Sequence, residues 1–553
     1  MGKGIAIAVG LALLPSPALA DALIDNVNGI TVDATGDIIR FNGLIIDKDG
    51  HVVKRLRTGD PRPERPDFRF DGKGRTLVPG FIDAHGHVME LGFSKLTLDL
   101  SDTKSLDEAK AKIAAYAAAN PDKAWIIGKG WNQEAWGLGR FPTAADLTGI
   151  AGDKPIWLER IDGHAGWANA AALKAAGITA KSKAPAGGQI AMAGAGPAAA
   201  PTGILIDTAR SLMDRVLPKP LPKDYDAALQ LAQAALLARG VTTITDMGTS
   251  IEAWQAYRRA GDASTLRMRI LGYAAGLDQA ALIAGSSPSP WLYDDRLRLG
   301  GVKLYLDGAL GSRGAWLKAP YADAPGQTGL PRMSGTQLRN QMSRAAMDGF
   351  QLAVHAIGDR ANAELLDAID VLSETYEGDR RWRIEHAQIV DPADLPRFAL
   401  HGTIASMQPQ HATSDWAMAT ARLGPDRLGG AYAWRSMLDK WVPLAFGSDV
   451  PVEPADPLLG MKAAITRQDA KGMPEGGWLP TQRLNIVEAL RAYTVGAAYA
   501  GFAEKKFGNL AVGQAADFLI LDTDIALAPA ETLPNAKILE VWIGGRRIIE
   551  QDK

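Results

Sequence analysis

The chain has 553 residues, with 60 Lys plus Arg against 62 Asp plus Glu, 47% hydrophobic and 22% charged residues, and no cysteine. That is enough apolar sequence to bury a large core and too little charge for a disordered protein. Disulfides, cysteine metal sites and thiol nucleophiles are excluded, and the near-neutral balance gives no field that would gather nucleic acid or an anionic membrane, so a small-molecule partner is expected.

The first twenty residues read as a signal peptide. Lys3 precedes an apolar run from Gly4 to Leu14, then Pro15, Pro17 and the small-residue site Ala18-Leu19-Ala20. The run is shorter than the ~20 apolar residues that a spanning helix needs. The expectation is export to the periplasm or medium after cleavage near Ala20, with no stable membrane insertion. Residues 21–77 follow as short alternating strands broken by Asn28-Gly29, Thr35-Gly36-Asp37 and Asp49-Gly50. The C-terminal part, 501–553, has the same texture in Asp517–Asp522, Ile538–Ile543, a Gly544-Gly545 turn and Arg547–Glu550. Two ends of one character suggest a β-sandwich split between them.

Residues 78–500 alternate β-branched runs with helical patterns such as Tyr225–Arg239. Candidate strands are Val78–Ala84, Val241–Asp246, Arg267–Tyr273, Gly301–Leu306, Gln351–His355, Arg381–His386, Thr403–Met407 and Val442–Asp449. This α/β alternation predicts a parallel (β/α)8 TIM-like barrel with its chemistry at the C-terminal strand ends. The stretch between the first two strands is too long for a loop. It is expected to be an inserted subdomain, about 95–240, with a helix over Leu106–Ala119 and a Gly/Ala/Pro-rich loop from Ala184 to Pro201.

Four of the chain's 8 histidines fall at predicted strand ends: His85, His87, His355 and His386. His85-Gly86-His87 alone is a weak signal, because alternate residues of any strand share a face. Joined by His355, His386 and Asp449, it describes neutral nitrogen and carboxylate donors for two divalent metal ions of the zinc type, with Asp449 able to take a proton from bound water. Lys303 lies in the fourth strand. A protonated lysine would be repelled by two dications, so it suits the site as a carbamate bridging the metals; the alternative is a strand lysine paired to Asp307.

Longer motifs carry a resemblance. Pro79–His87, Lys303–Gly308, His355–Ala361, Glu385-His386, Met407-Gln408-Pro409 and Gly447–Pro451 are similar to the amidohydrolase superfamily, in its amidohydrolase family 3 branch, which includes N-substituted formamide deformylases. Asp162-Gly163-His164 and Asn169 also match, whereas Asn132 stands where some relatives have an acidic residue. The resemblance implies hydrolysis of an amide or other C–N bond, other than a peptide bond, by a metal-activated water with Asp449 as general base. His164 and His411 are candidates for sharing the oxyanion, with a hydrogen-bonded loop role as the alternative. Asp359 and Glu385 are expected beside ligands rather than among them, and His51 and His401 away from the site. A lactone or ester hydrolase, a deaminase and a non-catalytic exported metal-binding protein are the other readings; Lys303 argues against the deaminase. Of Trp125, Trp131, Trp136, Trp167 and Trp416 some are expected in the subdomain core, the default for tryptophan, and about two at an aromatic rim of the pocket, which suggests a substrate with an apolar or aromatic group beside its amide.

Overall fold

The computed structural model describes residues 22–550 except 34, 134, 162, 164, 186–187 and 195–198. The expected signal peptide, Asp162 and His164 therefore lie outside the described residues.

Eight parallel strands form the central sheet: β1 (Phe81–Gly86), β2 (Val241–Thr249), β3 (Arg269–Ala275), β4 (Leu297–Tyr305), β5 (Gln351–Ala356), β6 (Arg383–His386), β7 (Ile404–Met407) and β8 (Leu444–Phe446). Each overlaps an expected run. The side chains of β1, β2 and β5 are almost continuously buried on both faces, so these strands do not show a polar/apolar alternation. Neighbours pair in sequence from β1 to β8. A bridge between Gly86 and Val450 then brings the last strand's end back to the first. Helices follow the strands on the outside, among them Ile251–Asp262, Asp359–Thr375 and Pro409–Leu423. The helix expected over Tyr225–Arg239 is Pro222–Leu237; proline sits in its first turn, and Ala228, Leu229, Ala232, Leu236 and Leu237 make its buried stripe.

One boundary differs from expectation. The run Val78–Ala84 is divided at Gly80: Thr76–Pro79 belongs to another sheet, and β1 starts at Phe81. The Gly80 amide donates to the Asp517 carbonyl, and a side chain at Gly80 would fall 2.3 Å from Thr242 Oγ1, so the chain crosses between sheets at the one residue that fits. That other sheet takes strands from both chain ends. Its order is Arg546–Glu550, Ile538–Ile543, Phe518–Leu521, Thr76–Pro79, Ala22–Val32, Ile38–Ile46 and Val52–Leu56, with Phe68–Asp71 also paired to Ala22–Val32.

Between β1 and β2 lies a six-stranded sheet with its own core, and the helix Leu106–Ala119 packs there. One expectation is corrected. The Gly/Ala/Pro-rich segment supplies strands Gly188–Ala193 and part of Ala200–Asp207, paired antiparallel through Gly188↔Asp207 and Ile190↔Leu205. Burial of Ile190 and Leu205 outweighs the weak strand preference of glycine and alanine. Three of the tryptophans are subdomain core: Trp131 and Trp167 are fully buried with ring centroids 6.2 Å apart, and Trp136 lies within 6.5 Å of both. They are the core of this sheet and not a rim. Trp125 packs in a second cluster of the same subdomain, and Trp416 packs against the barrel cluster.

Candidate metal centre

The closing seam of the barrel brings the first donors together. The buried Asp83 carboxylate accepts from the amides of His85 (3.1 Å) and Ser448 (3.0 Å) and from Ser448 Oγ (2.5 Å), which ties the segment after β8 to β1. Burial pushes its carboxyl up to about 6. Asp449 N donates to His85 O at 2.7 Å, and His87 N to Val450 O at 2.8 Å. The Asp449 carboxylate consequently reaches both imidazoles, with Oδ1 3.3 Å from His85 Nε2 and 3.0 Å from His87 Nε2. Asp449 (φ 59) and His386 (φ 76) hold left-handed backbone that non-glycine residues rarely adopt, a strain typical of functional positions.

Strands β4 to β6 complete the ring. The His386 ring lies 4.7 Å from that of His85 and 4.6 Å from that of His355. Lys303 Nζ, on a side chain 2% exposed residue-wide, stands 3.3 Å from His85 Nε2. Among the described residues it makes no ion pair with Asp307, so the alternative pairing is overturned. Asp307 instead accepts from the amides of Trp316, Ile357 and Gly358 at 2.9–3.0 Å, and its Oδ1 is 3.4 Å from His355 Nε2. Asp359 does not take that place; its carboxylate accepts from Lys318 N at 2.8 Å.

The imidazoles are oriented from outside. Glu385 Oε2 holds His85 Nδ1 at 2.6 Å, and Gln408 Oε1 holds His386 Nδ1 at 2.8 Å, which aims Nε2 of each ring inward. Glu385 in turn is gripped by the buried Arg383, whose Nε is 2.8 Å from Oε1 and whose Nη2 donates to Ala84 O and Ser406 Oγ. His411 opens the helix Pro409–Leu423, not a loop, with Nε2 3.3 Å from Asp449 Oδ2 and Nδ1 3.4 Å from Glu453 Oε1. Arg383, Gln408 and Glu453 escape a reading that looks for ligands. The detectable signal is an arginine set in an apolar strand two residues before Glu385.

Protonation suits the donor role at His355 and His386, whereas at His87 burial is outweighed by the Asp449 carboxylate, which holds the imidazole above its ordinary value. Burial, helped by Lys303, pushes His355 down to about 3, and burial drives His386 well below its ordinary value. Asp449 is held far below the usual carboxylate range: burial opposes this, but His85, His411 and His87 prevail. Burial lowers Lys303 to about 8 against the pull of Glu385 and Asp449. For His411 burial would lower the imidazole, yet Asp449 and Glu453 hold it up at about 10. Donor atoms of His85, His87 and Asp449 lie within 4.8 Å of one another, as do those of His386, His411 and Asp449. Imidazole nitrogens around a shared carboxylate match the nitrogen and oxygen preference of zinc-like ions. His51 and His401 stand apart, near Asp47 (3.7 Å) and Asp370 (3.1 Å).

Residues 70–549 match the amidohydrolase family. The chain is 33% identical over 556 residues to Protein LONG AFTER FAR-RED 3 of Arabidopsis thaliana, covering 97% of this chain and 92% of that one. It is 27% identical over 549 residues to N-substituted formamide deformylase of Arthrobacter pascens, covering 95% and 98%. An uncharacterized metal-dependent hydrolase from Pyrococcus horikoshii OT3 superposes with a TM-score of 0.77 at 28% identity, over 92% of this chain and 99% of that one.

Proposed function

Because the chain belongs to the amidohydrolase family, we propose that it is a metal-dependent hydrolase that cleaves an amide or other non-peptide C–N bond of a small molecule. The observation that carries this reading is the convergence of His85, His87, Lys303, His355, His386 and Asp449 at one end of the barrel, with imidazole nitrogens facing a carboxylate.

These six side chains would hold two divalent ions of the zinc type. Lys303 contributes as a carbamate: its neutral amine adds to carbon dioxide, an N–C bond forms and one proton leaves. This replaces a donor 3.3 Å from His85 Nε2 with an anionic oxygen ligand. Bound there, such ions would supply Lewis acidity to polarise a scissile carbonyl and lower the pKa of a water. Asp449 is the general base. It takes the proton from the attacking water and returns it to the departing nitrogen as the C–O bond forms and the C–N bond breaks, leaving an acid and an amine. His411, protonated between Asp449 and Glu453, orients that carboxylate. His164 is assigned to the developing oxyanion.

The test pairs metal analysis of the purified protein with a screen of N-formyl and N-acyl amines, acyl amino acids, esters and lactones. Two bound ions and turnover of an amide are expected, and faster cleavage of arylalkyl amides than of formamide supports an apolar group on the substrate. Asp449→Asn should lose about a thousandfold or more in kcat while keeping the fold. Lys303→Ala should lose metal and activity together, with partial rescue by short carboxylic acids. Near-normal turnover of the Asp449 variant moves the base elsewhere; turnover of esters or lactones alone replaces the amide reading.

A further inference from the structure

At the opposite end of the barrel, where β3 and β4 begin, a cavity of ≈ 910 Å³ opens between the barrel floor and the sheet built from the chain ends. Four cations line it: Lys48 from a turn of that sheet, Arg546 at the start of its strand Arg546–Glu550, Arg267 just before β3 and Arg296 just before β4. None of the four has a carboxylate within ion-pair distance among the described residues. The other charges on the wall are already spent. Arg269 forms a two-pronged pair with Asp517 (2.6 and 2.9 Å), Arg547 meets Glu550 at 3.0 Å, and Asp295 meets Lys506 at 2.8 Å. Only Asp49 and Asp294 offset the four free cations, so the cavity carries a surplus of two positive charges. Proteins normally place such cations in open water or beside an anion. Here Arg296 is partly buried and crowded by Arg269, and its one side-chain bond goes to the Arg267 carbonyl at 2.8 Å.

The wall is also built to stay put. Tyr293, Asp294 and Asp295 hold three consecutive left-handed conformations, φ 56, 54 and 59. Such backbone is costly for non-glycine residues and persists only when its surroundings fix it. Arg269 does so, with Nη1 donating to the carbonyls of Asp294 (2.9 Å) and Asp295 (3.0 Å).

We propose that this cavity is a binding site for a small oxyanion of charge minus two or more, a phosphate-bearing or dicarboxylate molecule, gripped by Arg267, Arg296, Arg546 and Lys48. Guanidinium groups present planar pairs of donors that match phosphate and carboxylate oxygens. The site lies at the N-terminal strand ends and the metal centre at the C-terminal ends, so the two are separate.

The experiment follows thermal unfolding of the full metal-loaded chain against inorganic phosphate or succinate, with ionic strength held constant by sodium chloride. A saturable rise in Tm is expected for at least one anion. Phosphate alone identifies a phosphate-bearing ligand, and succinate alone a dicarboxylate. Arg546→Met and Lys48→Met, both exposed, and Arg267→Met should each weaken the apparent affinity about tenfold while metal content and hydrolysis stay at the unmodified level. The proposal is overturned if neither anion does more than chloride, or if the variants respond as the unmodified protein does, which would place the anion at the metal centre or elsewhere.

Discussion

Glu385 faces two partners through one carboxylate, His85 on the metal side and Arg383 on the barrel side, and both contacts are fully buried. Glu385→Gln keeps the shape but removes the charge. Arg383 would then be an uncompensated buried cation, a loss of about 3–5 kcal/mol, and His85 would lose its anchor, a change that lowers metal affinity about 10- to 100-fold. Denaturant unfolding and metal titration separate the two effects. The double variant Arg383→Met/Glu385→Gln should regain much of the stability without regaining metal affinity; recovery of both would show that Glu385 serves only to neutralise Arg383. The candidate donors are legible from sequence because each is a polar residue at or near the end of a barrel strand. Their supports are not. Gln408 reaches His386 across 22 positions and Glu453 reaches His411 across 42, and only the folded barrel makes those pairs neighbours. Lys303 teaches the same lesson. Its position four residues from Asp307 suggests a pair, yet Lys303 meets His85 across the barrel end, while Asp307 is claimed by three backbone amides.

Elements follow the hydrophobic pattern where burial is continuous and depart from it where a contact overrides composition. The eight barrel strands and the helix Pro222–Leu237 are of the first kind. Trp131 and Trp167 are of the second: their indole N–H groups find Leu158 O (2.8 Å) and Thr143 O (2.7 Å), so a residue type common at binding rims is satisfied inside the subdomain. Gly92 marks a contact that pattern alone does not show. It lies on the helix Val88–Leu96, which His87 precedes at the N-cap, and a Cβ there would fall 2.2 Å from the Ala228 carbonyl of helix Pro222–Leu237. A backbone atom cannot turn aside. Gly92→Ala should therefore separate the two helices at a cost of about 1–3 kcal/mol, lowering Tm by roughly 1 °C for each kcal/mol in a chain of this length. Because His87 begins this helix, metal affinity should fall with it. An unchanged Tm in calorimetry would mean that the helices close less tightly than this contact implies.

At the scale of the whole molecule, the similar texture of the two chain ends foretells their common sheet, but not how that sheet is fastened to the barrel. The fastening is polar and buried. Asp517, just before strand Phe518–Leu521, accepts both prongs of Arg269 at the start of β3 and also the Gly544 amide at 2.7 Å. Arg269 directs Nη1 to the Asp294 and Asp295 carbonyls. One ion pair thus joins the end sheet, the barrel floor and the strained loop beside the cationic cavity. Removing one charge should cost far more than removing both, since a buried charge without its partner is the unfavourable species. Asp517→Asn is expected to destabilise by about 3–5 kcal/mol, and Arg269→Met/Asp517→Leu to recover part of that in the same denaturant titration. Recovery should stay incomplete, because Asp294 and Asp295 would still lose the donor that holds their backbone. If the single variant costs under about 1 kcal/mol, as an exposed pair would, the sheet is held to the barrel by its apolar contacts alone and the pair is incidental to the joint.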